Sequence, residues 1–268
     1  MEKEEKKTLP QKSYHTILRQ EINAGLLELN RPVGGLFLSS LSAGLDIGFS
    51  LLLMATMLSA TSGIFSPPVV HILVSVMYSV GFILVILGRS ELFTEHTALA
   101  VLPVLDRKAS LADLFRIWAV VFTGNITGAI VFSCIISWMG PELGIINLWA
   151  FAEIAHSLLD HAWWVIFVSA VIAGWLMGEL AWLLAAGRDT ISQVLFVFVV
   201  TTAIGFLNLH HSIAGTVEVV TGILTSSELH LKDFLRFSFL STTGNAFGGV
   251  IFVAIIKYGH AMQTIEKY

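Results

Sequence analysis

Charge is scarce in this chain of 268 residues: Asp, Glu, Lys and Arg make up only 13% of it, where a soluble domain carries about 25%. The net charge of −4 is small, and no Lys/Arg tract exists to follow a phosphate backbone, which excludes nucleic acid as a partner. Cysteine is almost absent. The single Cys134 sits in an apolar run, so neither an internal disulfide nor a cysteine metal cluster is possible, and the redox compartment stays undecided. The first 30 residues are charged and mixed in sign, unlike a signal peptide with its short apolar core and cleavage site. Targeting is therefore expected to depend on the first membrane span. No Gly-x-Ser-x-Gly elbow accompanies the histidines, which argues against serine hydrolysis.

What fills the chain instead is apolar sequence, 55% of it, at a mean hydropathy of +0.80. A spanning helix needs about 20 mostly apolar residues. Val33 to Ser59 supplies the first, with Asp46 its only charge, and Val69 to Gly88 the second, after the turn at Pro67-Pro68. Apolar character resumes from Ala98 to Leu105. Leu111 to Met139 is the third span and Trp163 to Ala186 the fourth, with Glu179 inside it. Ile191 to Leu207 runs into a polar stretch, apolar residues resume from Ile213 to Leu224, and Phe234 to Ile256 closes the set. The expectation is an all-α integral membrane protein with six crossings, the second and fifth broken.

Basic residues concentrate in cytoplasmic loops near span ends. Lys3, Lys6, Lys7, Lys12, Arg19 and Arg31 precede the first span, Arg107, Lys108 and Arg116 flank the second connection, Arg188 lies in the fourth, and Lys257 and Lys267 follow the sixth. Only Arg89, Lys232 and Arg236 fall elsewhere, and the segment between spans three and four holds Glu142, Glu153 and Asp160 without Lys or Arg. A multi-pass protein of the plasma (inner) membrane with both termini cytoplasmic is expected. Residues 1–32 form the N-terminal segment, 33–258 the channel domain and 259–268 the C-terminal tail. Within the first segment, Leu9 to Arg31 reads as an amphipathic helix lying on the bilayer or against neighbouring subunits, or, before Leu9, as a partly ordered tail.

The two breaks match. One reads Gly88-Arg89-Ser90-Glu91-Leu92-Phe93-Thr94-Glu95-His96-Thr97 and is followed by Thr123-Gly124-Asn125 with Gly128. The other reads Gly205 to Gly215 through Asn208, His210 and His211, and is followed by Thr243-Gly244-Asn245 with Gly248. Phe93 precedes Asn125 by 32 residues and His211 precedes Asn245 by 34. Three spans per half force the repeats, about 33–139 and 163–256, into opposite orientations, and such paired interruptions mark a transport site. The recurring Gly-x-x-x-Gly pairs let helices approach closely.

These residues resemble the formate/nitrite transporter family. Ser90-Glu91-Leu92-Phe93-Thr94 is similar to its acidic-Leu-Phe-Thr motif, and His211-Ser212-Ile213-Ala214 to its His-Ser-Ile-Ala motif. Ala43 to Gly48 and Phe122 to Asn125 match its motifs in the first and third spans, Gly187-Arg188 the pair after the fourth, and Thr243 to Gly249 the motif of the sixth, in the same order. The resemblance covers about Val33 to Tyr258 and implies an aquaporin-like protomer with its own pore, a homopentamer in membrane lipid, and passage of small monovalent anions or their neutral acids. It departs from the better-known formate channels in two places. Gly174 stands where they carry a pore-lining Asn, and the region of their fourth-span Lys reads His156 to His161.

Moving a small anion past a low-dielectric barrier is the physical problem, because an isolated buried charge is costly. His211 can exchange a proton near physiological pH, Thr94 can donate a hydroxyl hydrogen bond from the facing break, and broken-helix ends offer unpaired N–H groups. Leu92, Phe93 and Leu209 are the expected apolar walls, and Ser212 is expected on the same path. Glu91, Glu95, His96, His210, Glu179 and Arg89 are candidate proton or charge relays, with Arg89 placed to neutralise Glu91 or Glu95. His210 is expected to point into the protein and Glu179 to be a helix-packing contact; His156 or His161 is a candidate for a pH-dependent charge. No cofactor or metal is expected. Two other readings stay open: a neutral-solute pore, and an intramembrane metalloenzyme using Glu153-x-x-His156 with Glu91, Glu95 and His96.

Overall fold

Helices α1 (Tyr14–Leu29), α2 (Val33–Thr61), α3 (Pro67–Leu87), α4 (Phe93–Leu99), α5 (Val101–Leu105) and α6 (Leu111–Glu142) make the first half of the computed structural model, which describes residues 11–265. Lys3, Lys6, Lys7 and Lys267 lie outside the described residues. The second half holds α7 (Leu148–Leu159), α8 (Trp163–Ala186), α9 (Thr190–Phe206), α10 (Ser212–Thr225) and α11 (Leu231–Phe247), which continues through a π-helical segment, Gly248–Ile255, into α12 (Ile256–Ile265). By length and composition, α2, α3, α6, α8 and the continuous Leu231–Gln263 can each cross a membrane. The fifth crossing is shared by α9 and α10. Exposed Trp138, Trp149, Trp163 and Trp164 cluster near the ends of α6 and α8 and on α7, as amphipathic rings do at a membrane interface.

Both broken crossings leave the helix by the same device. After α3 the chain turns through Arg89 at φ 59°, and the Ser90 N–H returns to the Val85 carbonyl at 3.0 Å. After α9 it turns through Asn208 at φ 48°, and the Leu209 N–H returns to the Ile204 carbonyl at 3.0 Å. A left-handed residue with this return bond is the usual way to satisfy the last carbonyls of a helix. Asn accepts that conformation readily and Arg does so at a cost.

Helix α2 lies along α6 and α8 lies along α11, and small residues set both distances. A Cβ on Gly44 would stand 2.2 Å from the Asn125 carbonyl oxygen, and one on Gly174 would stand 2.1 Å from that of Asn245. Neither position has room for a side chain. The Gly124 and Gly128 faces press on Ser40 and Leu41, and Gly244 and Gly248 press on Ala170 and Val171. The two halves thus repeat one helix pair in detail. Gly174 thus abuts the backbone of α11 and serves as a helix-packing residue here.

Three features differ from the sequence reading. Helix α7 was missed between spans three and four because its 12 residues are too few to cross a membrane. The π segment was missed because hydropathy does not distinguish helix types. The amphipathic face of α1 does not need the bilayer or a neighbouring subunit: Ile17, Leu18, Ile22, Gly25 and Leu29 are buried against the chain itself, with Tyr14 bonded to the Lys257 carbonyl. That contact brings both ends of the described chain to one face, called here the terminal face.

Candidate functional site

Each break is held by one asparagine. Asn125 Oδ1 accepts the Phe93 N–H at 2.8 Å, while its Nδ2 donates to the carbonyls of Ser40 and Glu91, both at 2.8 Å. Asn245 Oδ1 accepts the Ser212 N–H at 2.8 Å, and its Nδ2 donates to Ala170 at 2.8 Å and His210 at 2.9 Å. Unpaired backbone groups at membrane depth are expensive, and each side-chain amide satisfies two of them in its break while tying the break to a carbonyl of the neighbouring continuous helix, Ser40 in α2 or Ala170 in α8. Phe93 is therefore the equivalent of Ser212, Glu91 of His210 and Leu92 of His211. Asn125 and Asn245, the asparagines of the recurring Thr-Gly-Asn signature, thus close the interrupted backbone.

Between the breaks, Thr94 and His211 meet. Thr94 Oγ1 lies 2.8 Å from His211 Nε2, and both side chains are buried. His211 caps α10, with its Nδ1 accepting the Ala214 N–H at 3.2 Å. Because Nδ1 serves as acceptor, the neutral ring carries its hydrogen on Nε2 and donates it to Thr94. The edge of Phe82 closes one side, with ring centroids 5.0 Å apart. Ser212 Oγ is buried and has no hydrogen-bond partner among the described residues.

Two cavities approach this contact from opposite faces. One, of about 500 Å³, opens away from the terminal face and reaches His211 past Tyr78, Leu209, Gly215 and Glu218. The other, of about 510 Å³, opens on the terminal face and is lined by Glu21, Glu28, Glu91 and Glu95 together with Arg31 and Arg89. Its carboxylates are tied together unevenly. Arg31 bridges Glu28 at 2.7 Å and Glu91 at 2.6 Å, and His96 Nε2 lies 2.5 Å from Glu91. Burial pushes the Glu21 carboxyl, on α1 outside the crossings, up to about 8, and Glu95 adds to the rise.

The remaining sequence candidates are placed as follows. Leu209 lines the first cavity, Leu92 is buried and lines neither, and Phe93 packs its ring on Trp118 and Phe122 of α6. Glu91 pairs with Arg31 and His96 rather than with Arg89, whose left-handed backbone belongs to the helix end. His210 is buried, bonded to Ser169 at 2.8 Å and to the Leu158 carbonyl at 2.9 Å. Glu179 meets Lys257 at 2.9 Å. His156 pairs with Asp160 and Glu228, so Glu153 and His156 do not join Glu91 and His96. Among the described residues no group of three His, Cys, Asp or Glu stands ready to hold a metal.

Sequence reading missed Arg31 as a partner of the first break, and it missed Tyr78 and Glu218. A signal existed for Glu218. It lies seven residues after His211, and His211, Gly215 and Glu218 share one helical stripe.

A family model described as formate/nitrite transporter matches residues 15–259. The chain belongs to that family. It is 30% identical over 259 residues to the inner membrane protein YfdC of Escherichia coli (strain K12), covering 94% of this chain and 79% of that one. Among solved structures, an FNT family ion channel superposes with a TM-score of 0.80 at 22% identity, covering 92% of this chain and 98% of the other. A pentameric formate channel with formate bound superposes at 0.72, also at 22% identity, covering 86% and 98%. These superpositions establish the formate/nitrite transporter fold, six crossings from two inverted repeats.

Proposed function

We propose that the protein is a channel or proton-coupled facilitator for small monovalent weak-acid anions such as formate or nitrite. In this reading it works as a homopentamer in the inner membrane, with the terminal face toward the cytoplasm. One observation carries it: the buried Thr94–His211 hydrogen bond, which joins the two breaks between cavities opening on opposite faces. Family membership and the resemblance to a formate-bound pentamer support the substrate class and the assembly.

The mechanism follows from the ring's tautomer. A solute oxygen takes the place of Thr94 as acceptor of the Nε2–H, with Ser212 Oγ as a second hydrogen-bond partner. For the ring to pass that proton to an anion, Nδ1 must first take one from a hydronium ion of the solvent, which leaves as water, and release the Ala214 N–H. The Nε2 proton then moves to the solute, leaving a neutral ring with its hydrogen on Nδ1 and a neutral acid able to pass Leu92 and Leu209. Burying the neutral acid avoids the desolvation cost of the anion.

His211→Phe tests this reading, since ring volume and apolar character remain while proton exchange and hydrogen bonding are lost. In proteoliposomes we expect assembly to survive, pH-dependent formate flux to fall about a hundredfold, and the pH profile to flatten. Flux and pH profile equal to wild type would remove His211 from the mechanism.

A further inference from the structure

The cavity that reaches His211 from the face away from the termini contains a carboxylate that the mechanism above does not use. Glu218 is 4% exposed, and neither a hydrogen bond nor an ion pair holds its side chain among the described residues. It stands two turns beyond His211 on the stripe that also carries Gly215, and all three line the same cavity. The walls around it are largely apolar, with Met54 and Leu58 from α2 and Val70 and Val74 from α3. The titratable groups sharing the cavity are His71 and Tyr78 of α3, Glu153 of α7, and His211 itself. Among the described lining residues, α4, α6 and α11 contribute no charged side chain. A buried carboxylate without a partner is costly to keep unless something occupies the space it faces.

We propose that Glu218 is a specificity-determining residue whose protonation decides whether this cavity accepts a monovalent anion. Protonated, its O–H donates a hydrogen bond to the arriving solute. Ionised, it repels an anion across a cavity with few compensating charges. Passage from this face is thereby linked to pH at a second position, independent of the ring of His211. The inference rests on the transport reading above and deepens it.

Two measurements on full-length protein test it. The first is formate flux into proteoliposomes across the physiological pH range for wild type and Glu218→Gln, which fixes the neutral, hydrogen-bonding form. We expect the two to coincide at the acid end and the variant to be on the order of tenfold faster at the alkaline end. A tenfold difference in rate corresponds to about 1.4 kcal/mol in the barrier. A constant ratio across pH would mean a structural role and overturn the proposal. The second is an infrared pH titration of the two proteins. A carboxylic C=O band that titrates in wild type and is missing from the variant is expected, and its absence from both would also overturn the proposal. If no weak acid crosses the wild type, the transport reading falls, whereas the infrared band still decides whether Glu218 takes up a proton.

Discussion

Asn245 shows how much one side chain can carry. Its amide closes the Ser212 N–H and the His210 carbonyl, two groups that the interrupted helix cannot satisfy and water does not reach, and ties them to the Ala170 carbonyl of α8. Replacing it by leucine leaves those groups unpaired at a cost of about 1–3 kcal/mol each. We expect Asn245→Leu to lower the unfolding temperature of the purified protein clearly, and Asn125→Leu to do so to a similar extent. An unchanged unfolding temperature in both would contradict the clip assignment. At this scale the sequence was only partly legible. Motif positions pointed to Thr94, His211 and the two asparagines, because polar residues are rare in so apolar a chain. Glu91's partner was not legible, since Arg31 lies 60 positions away at the end of another segment. Glu218 passed unremarked because a single acid in an apolar helix looks the same whether it faces a cavity or a neighbour.

Among the elements, the repeat is a pair of helices pressed together through glycine, with a break clipped to it. The Gly44–Asn125 contact of α2 and α6 recurs as Gly174–Asn245 in α8 and α11, so the two halves fail in the same way. Gly174→Asn is expected to destabilise rather than to build a pore-lining group. Its Cβ meets backbone, and overpacking of this kind costs about 1–3 kcal/mol or more. Assembled protein recovered by size exclusion, with its unfolding temperature, checks this; normal yield and stability would show that α8 and α11 can separate. Crossing helices were readable because about 20 apolar residues are hard to mistake. Helix α7 was not, since its 12 residues are too few to cross a membrane, nor was the π segment, which hydropathy does not tell from α-helix.

For the whole molecule, the sequence carried the fold class and the family, which the family match and the superpositions bear out. It left the cavities unread, because a cavity is made by residues from many helices and belongs to no single segment. The assembled structure sets a polar contact, Thr94 with His211, between a chamber lined by Glu218 and one lined by Glu21, Glu28, Glu91 and Glu95. Carboxylates at both approaches oppose a bare anion and suit a solute that travels with a proton. The alternative, a pore for uncharged solutes in which these groups only organise the breaks, makes the opposite demand. The measurement that separates them most directly is uptake by wild-type proteoliposomes of formate, nitrite, acetate and lactate beside a small uncharged solute, across a range of pH. The transport reading expects at least one weak-acid anion to be carried, faster as the pH falls, with little uptake of the uncharged solute. Failure of every monovalent anion together with brisk uptake of the uncharged solute would contradict it.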